Sequence, residues 1–183
     1  MGLFFFMGLS MNAQTTVDSY TCEPAGAVKY ISINENGNES EVYLDINGEN
    51  NNDKVRLCFY VNDLEDFRNS LYSLSCKFTK WIAASDKEGV KDFDKSIGIC
   101  FPMIAISWYA DNKWQYDYEE DLDFRFKITN GSKPVLQMTN KAAAYDNQAI
   151  QQMYDITFSS PEDIVDLYNK LDVNYIKSKT TKE

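Results

Sequence analysis

The densest group of chemically functional side chains is an acidic run in the middle of the chain. Its carboxylates occupy every second position, so in an extended strand they would share one face, about 6.6 Å apart. Such carboxylates can bind Ca²⁺ together with backbone oxygens. Two of them can also act as the acid and base of a glycosidase, whose carboxyl groups lie about 5 to 9.5 Å apart. The candidate residues are Asp117, Glu119, Asp121 and Asp123.

A solvated strand face is the simpler interpretation of this run. Arg125, Lys127 or a neighbouring strand could supply the opposite charge. Acid catalysis would also require burial that raises the pKa of one carboxyl group, and a sequence pattern does not report burial. Calcium is therefore one hypothesis for the run, and no other cofactor is expected.

Aromatic residues form a second group, clustered around one predicted hairpin. Flat exposed rings can stack on sugars or on peptide groups, which would make this hairpin a binding platform. The same rings at a spacing of two are also what a buried sheet face requires, so core packing is the competing interpretation. The residues concerned are Trp108, Trp114, Tyr116 and Tyr118.

The absence of histidine and the spacing of the cysteines reduce the number of reactions that the chain could catalyse. The chain has no histidine, which removes the commonest general base, the commonest transition-metal ligand and every Ser-His or Cys-His nucleophile pair. Its four cysteines are too widely spaced for a CxxC metal or redox motif, but they could form disulfides in an oxidising compartment. The cysteines are Cys22, Cys58, Cys76 and Cys100.

The overall charge argues against polyanionic partners. Eighteen basic and twenty-eight acidic residues give a net charge of -10, which repels phosphate backbones and anionic lipid surfaces. We expect no nucleic-acid partner, and a protein, peptide or glycan partner instead.

The first residues are typical of an export signal. An apolar run from Leu3 to Leu9 has the length of a secretory core and is much shorter than a membrane span, and the small residue Ala13 stands where a signal peptidase would cut. The segment resembles the signals of Gram-negative bacteria. We expect residues 1–13 to be removed and the protein to reach the periplasm, the cell surface or the medium, with no membrane span in the mature chain.

The remaining sequence predicts an α+β fold. Three Asn-Gly pairs, at positions 36, 47 and 130, predict hairpin turns. Apolar residues at spacings of three and four from Leu64 to Ile82 predict an amphipathic helix. From Ile97 to Ala110, both the odd and the even positions are mainly apolar, which predicts a central strand. The predicted antiparallel curved sheet has about seven strands, at residues 28–33, 41–46, 54–61, 97–110, 114–128, 134–139 and 152–158. Residues 114–128 could form one long bent strand or two short ones.

A second helix is predicted from Pro161 to Leu171, with Ser160 as its N-cap. Both helices have a similar entry. A strand and a polar cap come before the helix, and Glu-Asp and a large apolar residue lie in its first turn. This similarity allows two meander-plus-helix units, although good caps also converge by chemistry. Residues 14–183 should form one domain that ends in a short, basic, disordered tail.

These features favour an exported binding or interaction domain with an unknown ligand. One alternative is a glycan-directed hydrolase that uses a pair of the run's carboxylates. The other is a structural or inhibitory protein that pairs through an exposed sheet edge. An enzyme is the less favoured interpretation, because no nucleophile, phosphate-binding or dinucleotide-binding motif is present.

Overall fold

The protein is an α+β fold in which a curved, open antiparallel sheet packs against helices. A computed structural model describes residues 14–22, 27–35, 40–50 and 52–180, and it does not describe the side chain of Glu119. The expected signal segment and the Asn36-Gly37 turn lie outside these residues. The strands are β1 Thr15–Cys22, β2 Ala27–Asn34, β3 Glu41–Gly48, β4 Val55–Tyr60, β5 Phe93–Ser96, β6 Ile104–Ala110, β7 Lys113–Glu120, β8 Arg125–Ile128, β9 Val135–Ala144 and β10 Asn147–Phe158. The helices are α1 Leu64–Glu88, α2 Pro161–Lys170 and α3 Val173–Thr180.

The sheet has the order β5-β8-β9-β10-β3-β4-β6-β7, with β1 and β2 attached beside β3. One edge of β3 serves two partners in succession: β2 pairs with its first half, and β10 pairs with Asn47 and Gly48 at its end. The strand β7 reaches β9 through a backbone hydrogen bond of 2.8 Å from the amide of Tyr145 to the carbonyl of Tyr116. The sheet therefore curves strongly around one side.

The long helix α1 fills this concave side. Its apolar residues recur at spacings of three and four, and Phe67, Leu71, Leu74 and Phe78 are fully buried. Phe67 meets Phe59 of β4 with ring centroids 4.5 Å apart, and Phe78 meets Phe126 of β8 at 5.8 Å. One helix thus packs on both halves of the sheet, and the buried residues form one core.

The two predicted helices are confirmed, and α2 starts at Pro161 with Ser160 as its N-cap, as predicted. The side chain of Ser160 accepts a hydrogen bond from the amide of Asp163, whose carboxylate accepts one in return, so α2 begins with a capping box. A 3₁₀ turn at Val61–Asp63 leads into α1, where no side chain caps the helix. The two helices therefore begin by different means. Gly89, with φ of 63°, ends α1 in the left-handed conformation that glycine adopts without steric cost.

Two of the hairpin predictions can be compared with the structure. Asn130 and Gly131 both have positive φ and connect β8 to β9, as predicted. The predicted pairing of β3 with β4 is also present, but Asn47 and Gly48 belong to β3 and the turn follows them.

The predicted strand from Ile97 to Ala110 is wrong in its first half. The strand starts only at Ile104, because Gly98 has a φ of 62° and Pro102 has no amide hydrogen to donate to a ladder. The estimate of seven strands is also too low, since the described residues contain ten. The sequence does not predict β1 or the short, exposed β5.

The sequence analysis does not predict α3, which follows α2 and reaches Thr180. Ile176 is buried, and Tyr175 donates a hydrogen bond to Asp18 of β1. The helices in the described part of the chain lack the combination of length and apolar composition that crossing a bilayer requires.

Candidate functional site

The candidate site lies on the outer face of the sheet, opposite α1. In β4, Val55, Leu57 and Phe59 point to α1, so Arg56 and Cys58 point outward. The pairing of strands carries this face from β3 to β7: Arg56 lies opposite Ser107, and Ser107 lies opposite Tyr116. The face therefore combines charged, hydroxyl and aromatic side chains.

Arg56 is the centre of this face. Its guanidinium group stacks between two rings, 4.0 Å from the centroid of Tyr43 and 3.8 Å from that of Trp114. Its Nε donates to Ser107 Oγ at 3.0 Å, and Nη1 donates to Gln14 Oε1 at 3.1 Å. A guanidinium group suits this position because it is planar, permanently charged and weakly hydrated. Arg56 is only 7% exposed, so it positions the two rings.

The thiol of Cys58 lies beside this arrangement. Its Sγ is 3.2 Å from Ser107 Oγ, and burial raises its pKa to about 11. The thiol is therefore protonated at neutral pH and is a poor nucleophile. All four cysteines are present as thiols: Cys22 and Cys58 are buried, whereas Cys76 and Cys100 are exposed. Disulfide formation stays a prediction.

Five aromatic residues lie on the outer face around Arg56 and form two sets of contacting rings, which together we call the ring patch. It consists of Tyr109, Trp114, Tyr116, Tyr118 and Tyr145. Tyr109 meets Trp114 edge to face at 5.8 Å, and Tyr118 meets Tyr145 in the same way at 5.4 Å. Tyr116 and Tyr118 have parallel rings with centroids 6.1 Å apart. Tyr109 is 47% exposed and Tyr145 is 75% exposed, so solvent reaches both ends of the patch.

The structure divides the four aromatic residues that the sequence singles out. Trp114, Tyr116 and Tyr118 lie together on the outer face and are half-buried. Trp108 is fully buried in the core, because its neighbour Tyr109 takes the outward position in β6. Tyr145 joins the patch from the turn between β9 and β10, and Arg56 joins it from β4. The sequence does mark Arg56, because it is a charged residue inside a strongly apolar strand. Nothing in the sequence marks Tyr145.

A bulge in β7 changes the arrangement of the acidic run. Ile106 lies opposite Asp117 while Ile104 lies opposite Glu120, so three steps of β7 face two steps of β6. The extra residue turns Glu120 inward, where it is 6% exposed. Asp117 and Glu120 consequently become hydrogen-bonding neighbours, which a regular strand would prevent. Glu120 was not among the candidate residues.

The carboxyl pair of Asp117 and Glu120 connects β7 to its neighbours. Tyr154 of β10 and Asn140 of β9 donate hydrogen bonds to Glu120 Oε2 at 2.5 and 3.0 Å. The amide of Ala143 donates to Asp117 Oδ2 at 3.3 Å. Burial raises the pKa of Glu120, the hydrogen bond from Tyr154 opposes this, and the negative charge of Asp117 raises the pKa further. The charge of Asp117 therefore disfavours ionisation of Glu120.

The other carboxylates of the run lie apart from this pair. β7 ends at Glu120, and both Asp121 and Asp123 are exposed. Asp123 Oδ1 accepts a hydrogen bond of 2.5 Å from Ser96. In the part of the chain that the structure describes, no three carboxylates or cysteines form a group suited to a metal ion. The calcium site stays a prediction, because the side chain of Glu119 is outside that part.

Comparison with protein-family models, curated proteins and solved structures finds no match for this chain. Its function must therefore be argued from the fold and the outer face alone.

Proposed function

We propose that this chain is an exported, non-catalytic binding protein that holds a neutral carbohydrate on the ring patch. The observation that carries this proposal is the exposure, on one sheet face, of two neighbouring sets of contacting aromatic rings. Tyrosine and tryptophan offer a flat apolar ring together with a polar group, which suits the mixed surface of a sugar.

The fixed geometry of the patch supports binding. The stack of Arg56 holds Trp114 in place, and the backbone bond to Tyr116 holds Tyr145 next to Tyr118. Rings that are already positioned lose little conformational entropy when a ligand binds. The net charge of -10 favours a neutral glycan over an anionic one.

Features of the sheet edges argue against recognition through an edge strand. The edge strand β5 has only four residues and carries Asp94 and Lys95, which is typical of a protected edge. Helices α2 and α3 contact β1, and Lys170 donates a hydrogen bond to the carbonyl of Ser19 at 2.8 Å. An added peptide strand would have to displace these contacts.

The experiment is titration calorimetry of the processed protein against neutral oligosaccharides, namely cello-, xylo-, malto- and chitohexaose. We expect one of them to bind, and Tyr118→Ala and Tyr145→Ala each to weaken that binding at least tenfold. Tyr72→Ala is the matched control, because Tyr72 is 57% exposed on α1, away from the patch. Equal binding by all variants, or no binding by any of the four sugars, would contradict the proposal.

One observation favours a second candidate, a glycan hydrolase. Burial raises the pKa of Glu120, as a general acid requires, although its hydrogen bond with Asp117 places the two carboxyl groups closer together than the catalytic pair of a glycosidase. The measurement is the release of reducing ends from the same oligosaccharides. Hydrolysis that Asp117→Asn and Glu120→Gln both abolish, with binding retained, would replace the non-catalytic proposal.

A further inference from the structure

A second surface, on the exposed side of α1, has features of a ligand site that the ring patch does not explain. It is a depression of about 450 Å³, which is within the usual range for small-molecule sites. Six of the residues that line it belong to α1, and the seventh, Ile99, lies in the irregular segment before β6. We call it the lysine groove; its lining consists of Tyr72, Ser73, Cys76, Lys77, Lys80, Trp81 and Ile99.

The apolar walls of the lysine groove are held by packing outside it. The ring of Trp81 contacts the rings of Phe93 and Phe126 edge to face, at 5.9 and 5.5 Å. The ring of Tyr72 contacts Tyr168 of α2 at 5.8 Å. Both walls are therefore fixed before a ligand arrives, which reduces the entropic cost of binding.

The charge of the groove is opposite to that of the protein. Two lysines and no carboxylate line it among the described residues, although the whole chain carries a net charge of -10. Lys77 Nζ lies 5.8 Å from the centroid of Trp81 and 3.5 Å from the carbonyl oxygen of Gly98. Within the described part of the chain, the ion pairs of the structure involve neither Lys77 nor Lys80. Both ammonium groups can thus pair with an anion.

We propose that the lysine groove binds a small monocarboxylate with an apolar body. The carboxylate lies between the ammonium groups of Lys77 and Lys80, and the apolar body lies on Trp81 and Ile99. Charge complementarity selects the anionic group, and the aromatic and aliphatic walls select the apolar body. This site is on a different face from the ring patch and does not depend on carbohydrate binding.

The test uses octanoate as the probe and the exposed thiol of Cys76 as the reporter. Cys76 lines the groove, so a bound octanoate should slow its alkylation by N-ethylmaleimide at least fivefold, as followed by peptide mass spectrometry. Cys100 is exposed but does not line the groove, and its alkylation serves as the internal reference. 1-Octanol has the same chain without the charge and should protect Cys76 at least fivefold less at equal concentration.

A matched pair of variants tests the charge argument. Lys77→Gln combined with Lys80→Gln should weaken octanoate binding at least tenfold, whereas Lys87→Gln, in the last turn of the same helix, should leave it unchanged. Equal protection by octanol, equal affinity of the double variant, or unchanged alkylation of Cys76 with saturating octanoate would each overturn the proposal. Failure here leaves the carbohydrate proposal untouched, because its variants lie in β7 and after β9.

Discussion

The two faces of β4 are both buried, but by different means. On the inner face Leu57 is 0% exposed and packs in the core under α1. On the outer face Arg56 is 7% exposed and is buried by two stacked rings and two hydrogen-bonding side chains. Apolar packing tolerates exchange of similar side chains, whereas a buried charge needs each partner at its position. The inner face thus provides stability, and the outer face provides defined geometry beside the ring patch.

The largest expected effect is on the inner face. Leu57→Ala should lower the free energy of unfolding by about 2–5 kcal/mol, because it removes buried apolar contacts and leaves a cavity. Chemical denaturation followed by circular dichroism measures this loss. Val165→Ala on α2 is the control, since Val165 is 41% exposed and should lose only about 0.5 kcal/mol or less. A loss of less than about 1 kcal/mol for Leu57→Ala would contradict the assignment of the inner face.

A smaller effect is expected at the outer face. Arg56→Ala should lower the free energy of unfolding by about 2 kcal/mol, because it removes two desolvated cation–π contacts and the hydrogen bonds that Arg56 donates to Ser107 and Gln14. Arg56→Lys should recover less than half of this, since an ammonium group cannot stack between the rings. The same denaturation experiment measures both. If lysine restored full stability, charge alone would explain the position and the stacking argument would be wrong.

Glu120 connects β7 to β9 and β10, and its contribution to the stability of the protein should depend on pH. Because the folded pKa of Glu120 is raised, its contribution to stability is present below the unfolded pKa and is lost as the pH rises through the folded pKa. Glu120→Gln keeps an acceptor for Tyr154 and cannot ionise. We expect the variant to gain stability relative to the native chain as the pH rises from 4 to 8.

Thermal unfolding of both proteins across that pH range measures the difference between them. If the difference in stability between Glu120→Gln and the native chain stays constant with pH, Glu120 does not titrate in this range.

The smallest effect is expected at the exposed rim of the outer face. Lys113 Nζ and Asp146 Oδ2 form an ion pair at 3.0 Å, with both side chains more than half exposed. Lys113→Ala should change the free energy of unfolding by less than about 0.5 kcal/mol, because water screens such pairs. Denaturation at low and high salt measures this. A loss comparable to that of Arg56→Ala would remove the distinction between the buried face and its rim.

Local chemistry made part of the fold predictable. Ser160 and Pro161 mark the start of α2, and Asn130-Gly131 marks a turn, because each residue type satisfies a conformational requirement within a few positions. The strand starts later than the apolar residues from Ile97 predict, because Gly98 and Pro102 interrupt the extended backbone. The strand β1 was missed because its polar residues become buried or bonded only through distant partners, such as Tyr175 against Asp18.

The candidate site was less predictable for the same physical reason. Trp114, Tyr116 and Tyr118 share a parity in one strand, so their common face follows from local geometry. The bulge that turns Glu120 towards Asp117 depends on the register of β7 against β6. Neither Tyr145 nor Tyr43 is near these residues in sequence, and long-range strand pairing brings them together.

The α+β class, the two principal helices, the acidic character and the lack of histidine all follow from the order and types of the amino acids. These properties depend on composition, on periodicity and on contacts within a few residues. The stacking of Arg56 between two rings, the burial of Trp108 beside the exposure of Tyr145, and the pairing of Asp117 with Glu120 arise from the three-dimensional fold. Those outcomes depend on strand register and on pairing between distant segments, which local patterns do not encode.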